Sequence, residues 1–150
     1  MLSDFLQANS VAAELVECPK QVMTAQQASD AMDVPLSSIV KTLLFMLDET
    51  PLLVVLSGDS RVSTSKLCAF RNAASCRLAT PEEVEDMTGY EVGAVPPISV
   101  YGIPTLLDQK VLQLPFVVSG GGSTRHLLKI SPHEIEQWGF DVSVADVCEP

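Results

Sequence analysis

The sequence predicts one α/β domain built around a mixed β-sheet. Short apolar, β-branched runs, which are typical of buried strands, outnumber the segments with helix start signals. The two kinds of segment do not alternate regularly, which favours a mixed sheet over a doubly wound parallel one. The 150 residues contain no internal repeat, no low-complexity tract and no linker long enough to divide them. We therefore expect a single domain over residues 1–150 with its own core.

The helices are predicted from their start signals. A short amphipathic helix is expected near Leu2–Ala8, and another is expected to begin near Ser63 and to include TSKLCAF. Three capping boxes of the S/T-x-x-E/Q type predict the other helices, because each box satisfies backbone N–H groups at a helix start. The boxes are Thr24 with Gln27, Thr80 with Glu83, and Ser131 with Glu134.

Proline and glycine mark the boundaries of two helices. Pro81 and Pro132 occupy the first helical position, where a missing N–H has no cost. Gly89 and Gly139 suit the ends of the same helices.

The strands are predicted from apolar runs that are bounded by turn residues. The run VAAELVECP is expected to be a strand that ends at Pro19. Six further strands are expected at residues 39–47, 52–56, 104–107, 111–114, 116–119 and 126–130. The two runs that flank DETP are expected to pair as a β-hairpin.

Composition and charge limit the class of function. Hydrophobic residues make up 47% of the chain and charged residues 19%, a globular composition. The net charge of −10 disfavours broad nucleic-acid binding, but a local basic pocket that grips one end of a nucleic acid stays open. No apolar run is long enough to span a bilayer and no signal-peptide pattern is present, so we expect a cytoplasmic protein without a membrane partner.

Cysteine and histidine spacing gives no metal motif. The four cysteines form no C-x-x-C pair, and we expect them to be reduced and packed. They are Cys18, Cys68, Cys76 and Cys148. The two histidines are far from any cysteine, so no zinc site is predicted. We interpret His126 and His133 as structural residues.

Lys41 lies in a run that is otherwise almost wholly apolar up to Asp48. Both faces of this strand are apolar, which predicts that it is covered on both sides. A bare ammonium group is costly to bury without a partner. Two interpretations stay open: the lysine packs its stem and extends its amine to water, or it is held in a pocket to meet a phosphate, a carboxylate or a carbonyl carbon.

Two loops are further candidates for a binding site. In GYEVGAVPPISVYG, Gly93 and Pro97 bracket a short loop with Pro96 beside Pro97. A stiff loop with a few free N–H groups can hold a carbonyl oxygen or a carboxylate, and it can equally be an ordinary connection. In SGGGSTRH, three glycines follow a strand, which suits either a flexible hairpin or a backbone that lets a bulky ligand pass.

In their order along the chain, these motifs resemble the YbaK/ProX family of aminoacyl-tRNA deacylases, which includes the editing domain of bacterial prolyl-tRNA synthetases. The resemblance covers about residues 24–136. SSIVKTLLF is similar to the strand that bears the family's functional lysine, here Lys41. LATPEEVEDMTGYEVGAVPP resembles the helix and the glycine-x-x-x-proline loop, with Gly93 and Pro97 in the defining places. GDSRVSTSKL, TLLDQKVL and FVVSGGGSTRHLLKISPHEI are similar to the remaining segments.

The resemblance implies a mixed, barrel-like sheet flanked by helices, and it implies a reaction. The ester that joins a wrong, small amino acid to the 3′ end of a tRNA is hydrolysed without a metal or another cofactor. Alanine, cysteine, serine and threonine are the natural candidates for that amino acid. The implied partners are the aminoacyl-tRNA 3′ end and an aminoacyl-tRNA synthetase.

The resemblance also implies the residues of the site. Lys41 is the catalytic residue, which anchors or polarises the tRNA 3′ end, while N–H groups of the loop hold the aminoacyl carbonyl and water attacks. The substrate-binding residues are Gly93, Ala94, Val95, Pro96, Pro97, Ser119, Gly120, Gly121 and Gly122. Tyr90 and Arg125 are further candidates for shaping the site.

One departure from the family pattern and two alternative functions follow from the residues. Ile98 and Ser99 stand where the family often has an aromatic residue and then a glycine, and this change is expected to reshape the pocket mouth. The first alternative is a non-catalytic module of the same fold that binds tRNA or a synthetase. The second is an enzyme in which Lys41 forms a Schiff base with a small carbonyl substrate.

Overall fold

Hydroxyl side chains fix where four of the five helices begin in the computed structural model, which describes residues 1–150. Each accepts a hydrogen bond from the backbone N–H three residues later; these N-caps are Thr24, Ser63, Thr80 and Ser131. The helices are α1 (Leu2–Ala8), α2 (Ala25–Met32), α3 (Thr64–Arg71), α4 (Pro81–Thr88) and α5 (Pro132–Trp138). All five lie where the start signals predict them. None is long and apolar enough to cross a bilayer.

Only one of the three predicted capping boxes is complete. The Glu83 side chain accepts a hydrogen bond from the Thr80 N–H, which closes the box at the start of α4. The Gln27 side chain instead accepts from the N–H of Met23, one residue before the N-cap. The predicted left-handed glycine end is confirmed at Gly89, with φ +80°, whereas Gly139 ends α5 in an extended conformation.

Eight strands form two sheets. They are β1 (Ala13–Glu17), β2 (Val40–Leu47), β3 (Thr50–Ser57), β4 (Cys76–Leu78), β5 (Thr105–Asp108), β6 (Val117–Gly120), β7 (His126–Ile130) and β8 (Val142–Ala145). The smaller sheet is antiparallel, in the order β1-β7-β6. The larger sheet has the order β4-β2-β3-β5-β8, with antiparallel pairing around β2 and parallel pairing of β5 with β3 and β8. The predicted mixed sheet is therefore confirmed.

The sheets do not close into a barrel, because one edge of β2 is left open. Ile39 forms a single parallel bridge with Val118 of β6, and β4 pairs with this edge only between Phe45 and Leu47. No strand pairs with the edge between those two points. The sheet that the resemblance implies to be barrel-like is therefore not a closed barrel, since a closed barrel has no such free edge.

The predicted hairpin joins β2 to β3 through a two-residue turn. Leu47 pairs with Thr50, and the intervening Asp48 and Glu49 have φ of +48° and +65°. Positive φ at both central residues is the geometry of a type I′ turn, which suits the twist of a hairpin. The Asp48 carboxylate also accepts hydrogen bonds from two backbone N–H groups ahead of β4, which lowers the pKa of this carboxyl and fixes the turn.

Three segments differ from the sequence prediction. The run at 111–114 is not a strand, because residues Val111–Gln113 form a 3₁₀ helix that follows directly after β5. Periodicity cannot separate a short apolar strand from a short apolar helix. The strands β4 and β8 were not predicted, since the first has three residues and a polar centre and the second is a short strand at the sheet margin.

The two faces of β2 and β3 pack against different parts of the core, as predicted for a strand covered on both sides. Leu53 and Val55 belong to a core of 20 buried residues, whereas Val54 and Leu56 belong to a core of nine on the opposite face. All four side chains are fully buried. The long hairpin is therefore the central layer that fixes the position of Lys41.

One charged cluster ties β4 to α4. The Arg77 guanidinium donates two hydrogen bonds to Glu83, at 2.7 and 2.9 Å, and further ones to Glu49. The hydrogen bonds from Arg77, assisted by the N–H of Thr80, hold the pKa of Glu83 at about 2, below its ordinary value of 4.5.

We expect Glu83→Gln to reduce stability only while the wild-type carboxylate is charged. A lowered folded-state pKa stabilises above the unfolded-state value, and the contribution disappears as pH falls through the folded-state value. The difference in unfolding free energy between wild type and variant should be full above pH 4.5 and vanish near pH 2. Urea denaturation over that pH range measures it.

Glu82→Gln is the matched control, because Glu82 lies in the same first turn but forms no hydrogen bond or salt bridge through its side chain. The change in unfolding free energy caused by Glu82→Gln should be smaller, and it should stay constant between pH 4.5 and pH 2. A Glu83→Gln effect that stays constant from neutral pH to pH 2 would contradict the assignment.

Candidate functional site

A cavity of about 320 Å³ lies at the open edge of β2. Residues 39–44 form one wall, and the others come from the segment that leads into α2 and its first turn, from the end of β6 to the start of β7, and from the turn that contains Gly93. Gly58 after β3, Leu78 and Ala79 at the end of β4, and Val84 of α4 complete the lining. Fifteen of the 24 lining residues are hydrophobic, so the few polar groups in the wall determine what the cavity binds.

Lys41 is the only lysine or arginine in this wall. It is the second residue of β2, its side chain is half-buried, and its Nζ donates a hydrogen bond of 2.6 Å to the carbonyl oxygen of Ser60. No carboxylate forms a salt bridge with it. An ammonium group has three N–H donors, so donors remain for a ligand in the cavity.

A tight turn faces the cavity beside Lys41. The Ala94 N–H donates to the Glu91 carbonyl at 3.0 Å, and Gly93 has φ of +85°, which only glycine adopts without strain. The N–H groups of Gly93 and Val95 make no backbone hydrogen bond. The next two residues are prolines without an N–H, so the donors that the loop can offer to a carbonyl oxygen are these two amides and that of Val92, which also has no backbone acceptor.

The glycine segment after β6 supports this turn from behind. The Gly122 N–H donates to the Ala94 carbonyl at 2.9 Å. A methyl group on Gly120 would lie 2.9 Å from the Ala94 carbonyl carbon and 3.0 Å from the Gly93 oxygen. Gly121 is equally constrained by the backbone of His126. Close approach to the Gly93 turn accounts for glycine at position 120, and the backbone at the start of β7 accounts for glycine at position 121.

Half of the predicted site residues line the cavity. Those that do are Lys41, Gly93, Val95, Ser119 and Gly120. Those that do not are Ala94, Pro96, Pro97, Gly121 and Gly122, which shape or support the two loops. Both predicted loops therefore reach the cavity, but the sequence did not separate residues at the surface of the cavity from those behind it.

The residues that depart from the family pattern lie outside the cavity wall. Ile98 is buried in the large core, and Ser99 is buried and within hydrogen-bonding distance of Tyr90, with 3.1 Å between the two hydroxyl oxygens. Burial raises the pKa of Tyr90, and the ring packs against Gly122. This tyrosine therefore packs against the glycine segment after β6. Arg125, the other candidate for shaping the site, is exposed.

Four polar residues of the wall were not predicted as site residues: Thr24, Thr42, Ser123 and His126. Thr42 is 9% exposed, and its Oγ1 is the one buried side-chain oxygen or nitrogen without a hydrogen-bond partner. The Leu44 carbonyl accepts from the Ala79 N–H at the open edge. Because backbone groups alternate along a strand, Thr42 directs its own N–H and carbonyl to the same edge. His126, interpreted as structural, also lines the wall, with its Nδ1 2.6 Å from the Ser123 hydroxyl.

Exposed apolar side chains surround the cavity. Met23, Leu78 and Val92 all line it, and they are 63%, 56% and 52% exposed. Large apolar side chains grouped at the mouth of a cavity are typical of a ligand surface. No three histidine, cysteine, aspartate or glutamate side chains come together in a group that could hold a metal ion.

Comparison with known proteins identifies the family of this chain. A model of the aminoacyl-tRNA editing domain family matches residues 19–137. The chain is 33% identical over 123 residues to a proline–tRNA ligase of Nitratidesulfovibrio vulgaris strain Hildenborough, a match that covers 80% of this chain and 21% of the ligase. The chain thus spans about a fifth of that relative. It is also 28% identical to the uncharacterised protein YwhH of Bacillus subtilis, over 91% of this chain and 87% of YwhH.

Two solved structures share the whole fold. The hypothetical protein APE2540 superposes with a TM-score of 0.92 and 31% identity, over 99% of both chains. A candidate trans-editing enzyme for prolyl-tRNA synthetase superposes with a TM-score of 0.88 and 30% identity, over 99% of this chain and 98% of that one. The chain belongs to the aminoacyl-tRNA editing domain family, as the order of its motifs predicts.

Proposed function

We propose that this protein hydrolyses the ester bond of a mischarged aminoacyl-tRNA and that it acts in trans, as an editing deacylase. One observation carries the proposal: the Lys41 ammonium group lies in an apolar cavity wall without a carboxylate partner, and a turn with unpaired amides lines the same cavity. Similarity to a candidate trans-editing enzyme over nearly the full length of both chains supports the trans mode.

In this proposal Lys41 holds the anionic or polar end of the tRNA. Its ammonium already donates to Ser60, which orients the side chain and leaves other N–H groups for the substrate. A charge beside apolar walls interacts more strongly with a phosphate or a ribose oxygen than it would in open water. The lysine therefore positions the terminal nucleotide so that its ester enters the cavity.

The amides of Gly93 and Val95 bind the ester carbonyl oxygen. Water adds to the carbonyl carbon, and the tetrahedral intermediate places its negative charge on this oxygen, where the two N–H groups stabilise it. The attacking water gives up one proton as it adds, and the intermediate collapses by breaking the bond to the ribose oxygen, which takes up that proton. The products are a free amino acid and a tRNA with its terminal hydroxyl restored. An aminoacyl ester is already activated, so positioning supplies much of the acceleration.

The size of the cavity favours a small amino acid. Much of the 320 Å³ has to hold part of the terminal ribose together with the aminoacyl group, and the walls are mainly apolar. Alanine, cysteine, serine and threonine fit this description. Apolar walls separate side chains that differ by one methylene group only modestly, so we expect activity on more than one of them.

We propose further that the editing domain extends over all 150 residues. The family match runs from residue 19 to residue 137. Outside that range, Leu2 of α1 is buried in the large core, and β8 pairs with β5 along its whole length. The compartment we propose is the cytoplasm, which the four free cysteines support, with a synthetase as an additional partner.

We expect Lys41→Ala to lower kcat/KM for the best aminoacyl-tRNA by roughly 10²-fold or more, the usual cost of losing one preorganised electrostatic group. The measurement is release of labelled amino acid from a panel of aminoacyl-tRNAs. The melting temperature should not fall, since the variant removes a charge from an apolar wall.

The matched control for Lys41→Ala is Lys110→Ala, because Lys110 is exposed and lies outside the cavity wall. It should retain wild-type activity. If the wild type releases no amino acid from any member of the panel, the hydrolytic function is wrong. Tight tRNA binding without hydrolysis would instead favour the non-catalytic alternative.

Gly120→Ala tests the position of the turn. The new methyl group would press against the backbone of Ala94 and Gly93, at 2.9 to 3.0 Å, and push the donor amides away from the ester. A displacement of this kind costs up to roughly 10²-fold in kcat. Gly102→Ala is the control, because its methyl group would meet nothing within 4 Å and Gly102 lies outside the cavity wall; alanine at its φ of +80° should lower stability but not kcat. Equal kcat values for the two variants would contradict the role of the turn.

Thr42→Val tests the unpaired hydroxyl. Replacing a buried hydroxyl that has no partner by a methyl group should raise the unfolding free energy by about 1 kcal/mol. If the substrate forms a hydrogen bond with the Thr42 hydroxyl, kcat/KM should fall several-fold in the same variant. Denaturation and deacylation assays measure the two effects, and a variant that is more stable and fully active would contradict a role in binding.

A further inference from the structure

Two basic side chains, Lys20 and Arg125, lie together at one margin of the cavity. Residues 18–22 and 124–125 run side by side, because the N–H groups of Cys18 and Val22 donate to the carbonyls of Arg125 and Thr124, both at 2.7 Å. The Arg125 guanidinium crosses between the segments and donates to the Pro19 carbonyl at 2.9 Å. The guanidinium is thereby fixed beside the backbone of Lys20.

Neither cation is neutralised by a carboxylate. Both side chains are exposed, and neither forms a salt bridge, unlike Lys66 and Arg77. Residues 18–25 and 118–127 contain no aspartate or glutamate, whereas Glu17 borders the first segment and pairs with His126 of the second across β1 and β7. In a chain with a net charge of −10, these two segments form a local basic margin.

The same two segments build the cavity wall. Val22 and Met23, which line it, follow Lys20 by two and three residues, while Ser123 and His126 line it on either side of Arg125. The basic margin is therefore continuous with the mouth of the site, and a strand that enters from this side runs past both cations.

We propose that Lys20 and Arg125 bind backbone phosphates of the single-stranded 3′ end whose terminal ester occupies the cavity. This proposal rests on the proposed function. Arg125 uses one N–H group on Pro19, and its remaining donors suit two-point binding of a phosphate, which planar guanidinium groups favour. Lys20 adds a mobile point charge. The margin thus supplies the local positive surface that the overall charge lacks.

The test compares two substrates that carry the same amino acid, the one released fastest by the wild type. One is an RNA minihelix with a single-stranded 3′ end, and the other is aminoacyl-adenosine, which has no phosphate. For Lys20→Ala combined with Arg125→Gln, we expect kcat/KM on the minihelix to fall about tenfold at low salt. The slope of log kcat/KM against log salt should lose about 0.7 per phosphate contact. The loss on aminoacyl-adenosine should be less than twofold.

Arg71→Gln is the matched control, since Arg71 is exposed, forms no salt bridge and lies beside the hairpin turn at the far end of β2. Lys20→Ala alone is the second variant, because Lys20 forms no hydrogen bond through its side chain whose loss would disturb the fold. Both are assayed on the minihelix at each salt concentration.

The outcomes separate this proposal from the proposed function. A double variant that matches Arg71→Gln on the minihelix at every salt concentration would overturn the phosphate contacts and leave the deacylase intact. An equal loss on both substrates would show a structural role and would also overturn them. If the wild type hydrolyses neither substrate, the deacylase fails, and binding of the uncharged minihelix by the same variants then decides whether the basic margin holds phosphates.

Discussion

A cation held in an apolar wall without a counter-ion is the constraint on which the candidate site depends. Lys41 has one strong contact, the 2.6 Å hydrogen bond to Ser60, and a carbonyl oxygen carries no net charge. A carboxylate in that place would neutralise the ammonium, and an anionic substrate would then have to displace it. The chain shows that it can pair cations, because Lys66 and Arg77 both form salt bridges at its surface. The Lys41 ammonium group therefore stays available for a ligand because no carboxylate lies within salt-bridge distance of it, and not because the chain lacks acidic residues.

The cavity exists because the sheet is interrupted. Between the bridge at Ile39 and the pairing that begins at Phe45, the edge of β2 has no neighbouring strand, and backbone polar groups there face the cavity. A closed barrel would satisfy those groups and fill the space. The glycine segment after β6 supports the Gly93 turn instead of strand pairing. Gly122 donates a hydrogen bond to the Ala94 carbonyl, and Gly120 lets the turn approach more closely than a side chain would permit. Interruption of the sheet and close packing of two loops are thus parts of one arrangement.

The sequence predicted features that depend on local chemistry and missed those that depend on long-range contact. Helix starts, the hairpin and Lys41 follow from capping residues, turn residues and one charge in an apolar run. The Thr42 hydroxyl was missed because a threonine in a strand is ordinary until the structure shows that it has no partner. The strand expected at 111–114 became a 3₁₀ helix because an apolar run of four residues does not fix its own period. Position 120 requires glycine because the backbone of Ala94 packs against it. Ala94 is 26 residues away in the chain, so nothing in the local sequence indicates this contact.

Net charge is a poor guide to whether a protein of this kind binds the end of a nucleic acid. Screening limits surface interactions to about 8–10 Å at physiological ionic strength, so a carboxylate opposes a bound strand only where it lies within that distance of the strand. What matters is the charge within that distance, where Lys20 and Arg125 form no salt bridge and Glu17, which pairs with His126 across β1 and β7, is the neighbouring carboxylate. The acidic remainder still disfavours contact with the duplex body of a nucleic acid. A local basic margin on an acidic chain therefore selects for a free end over a continuous duplex, which is the selectivity that an enzyme acting on a terminal ester requires.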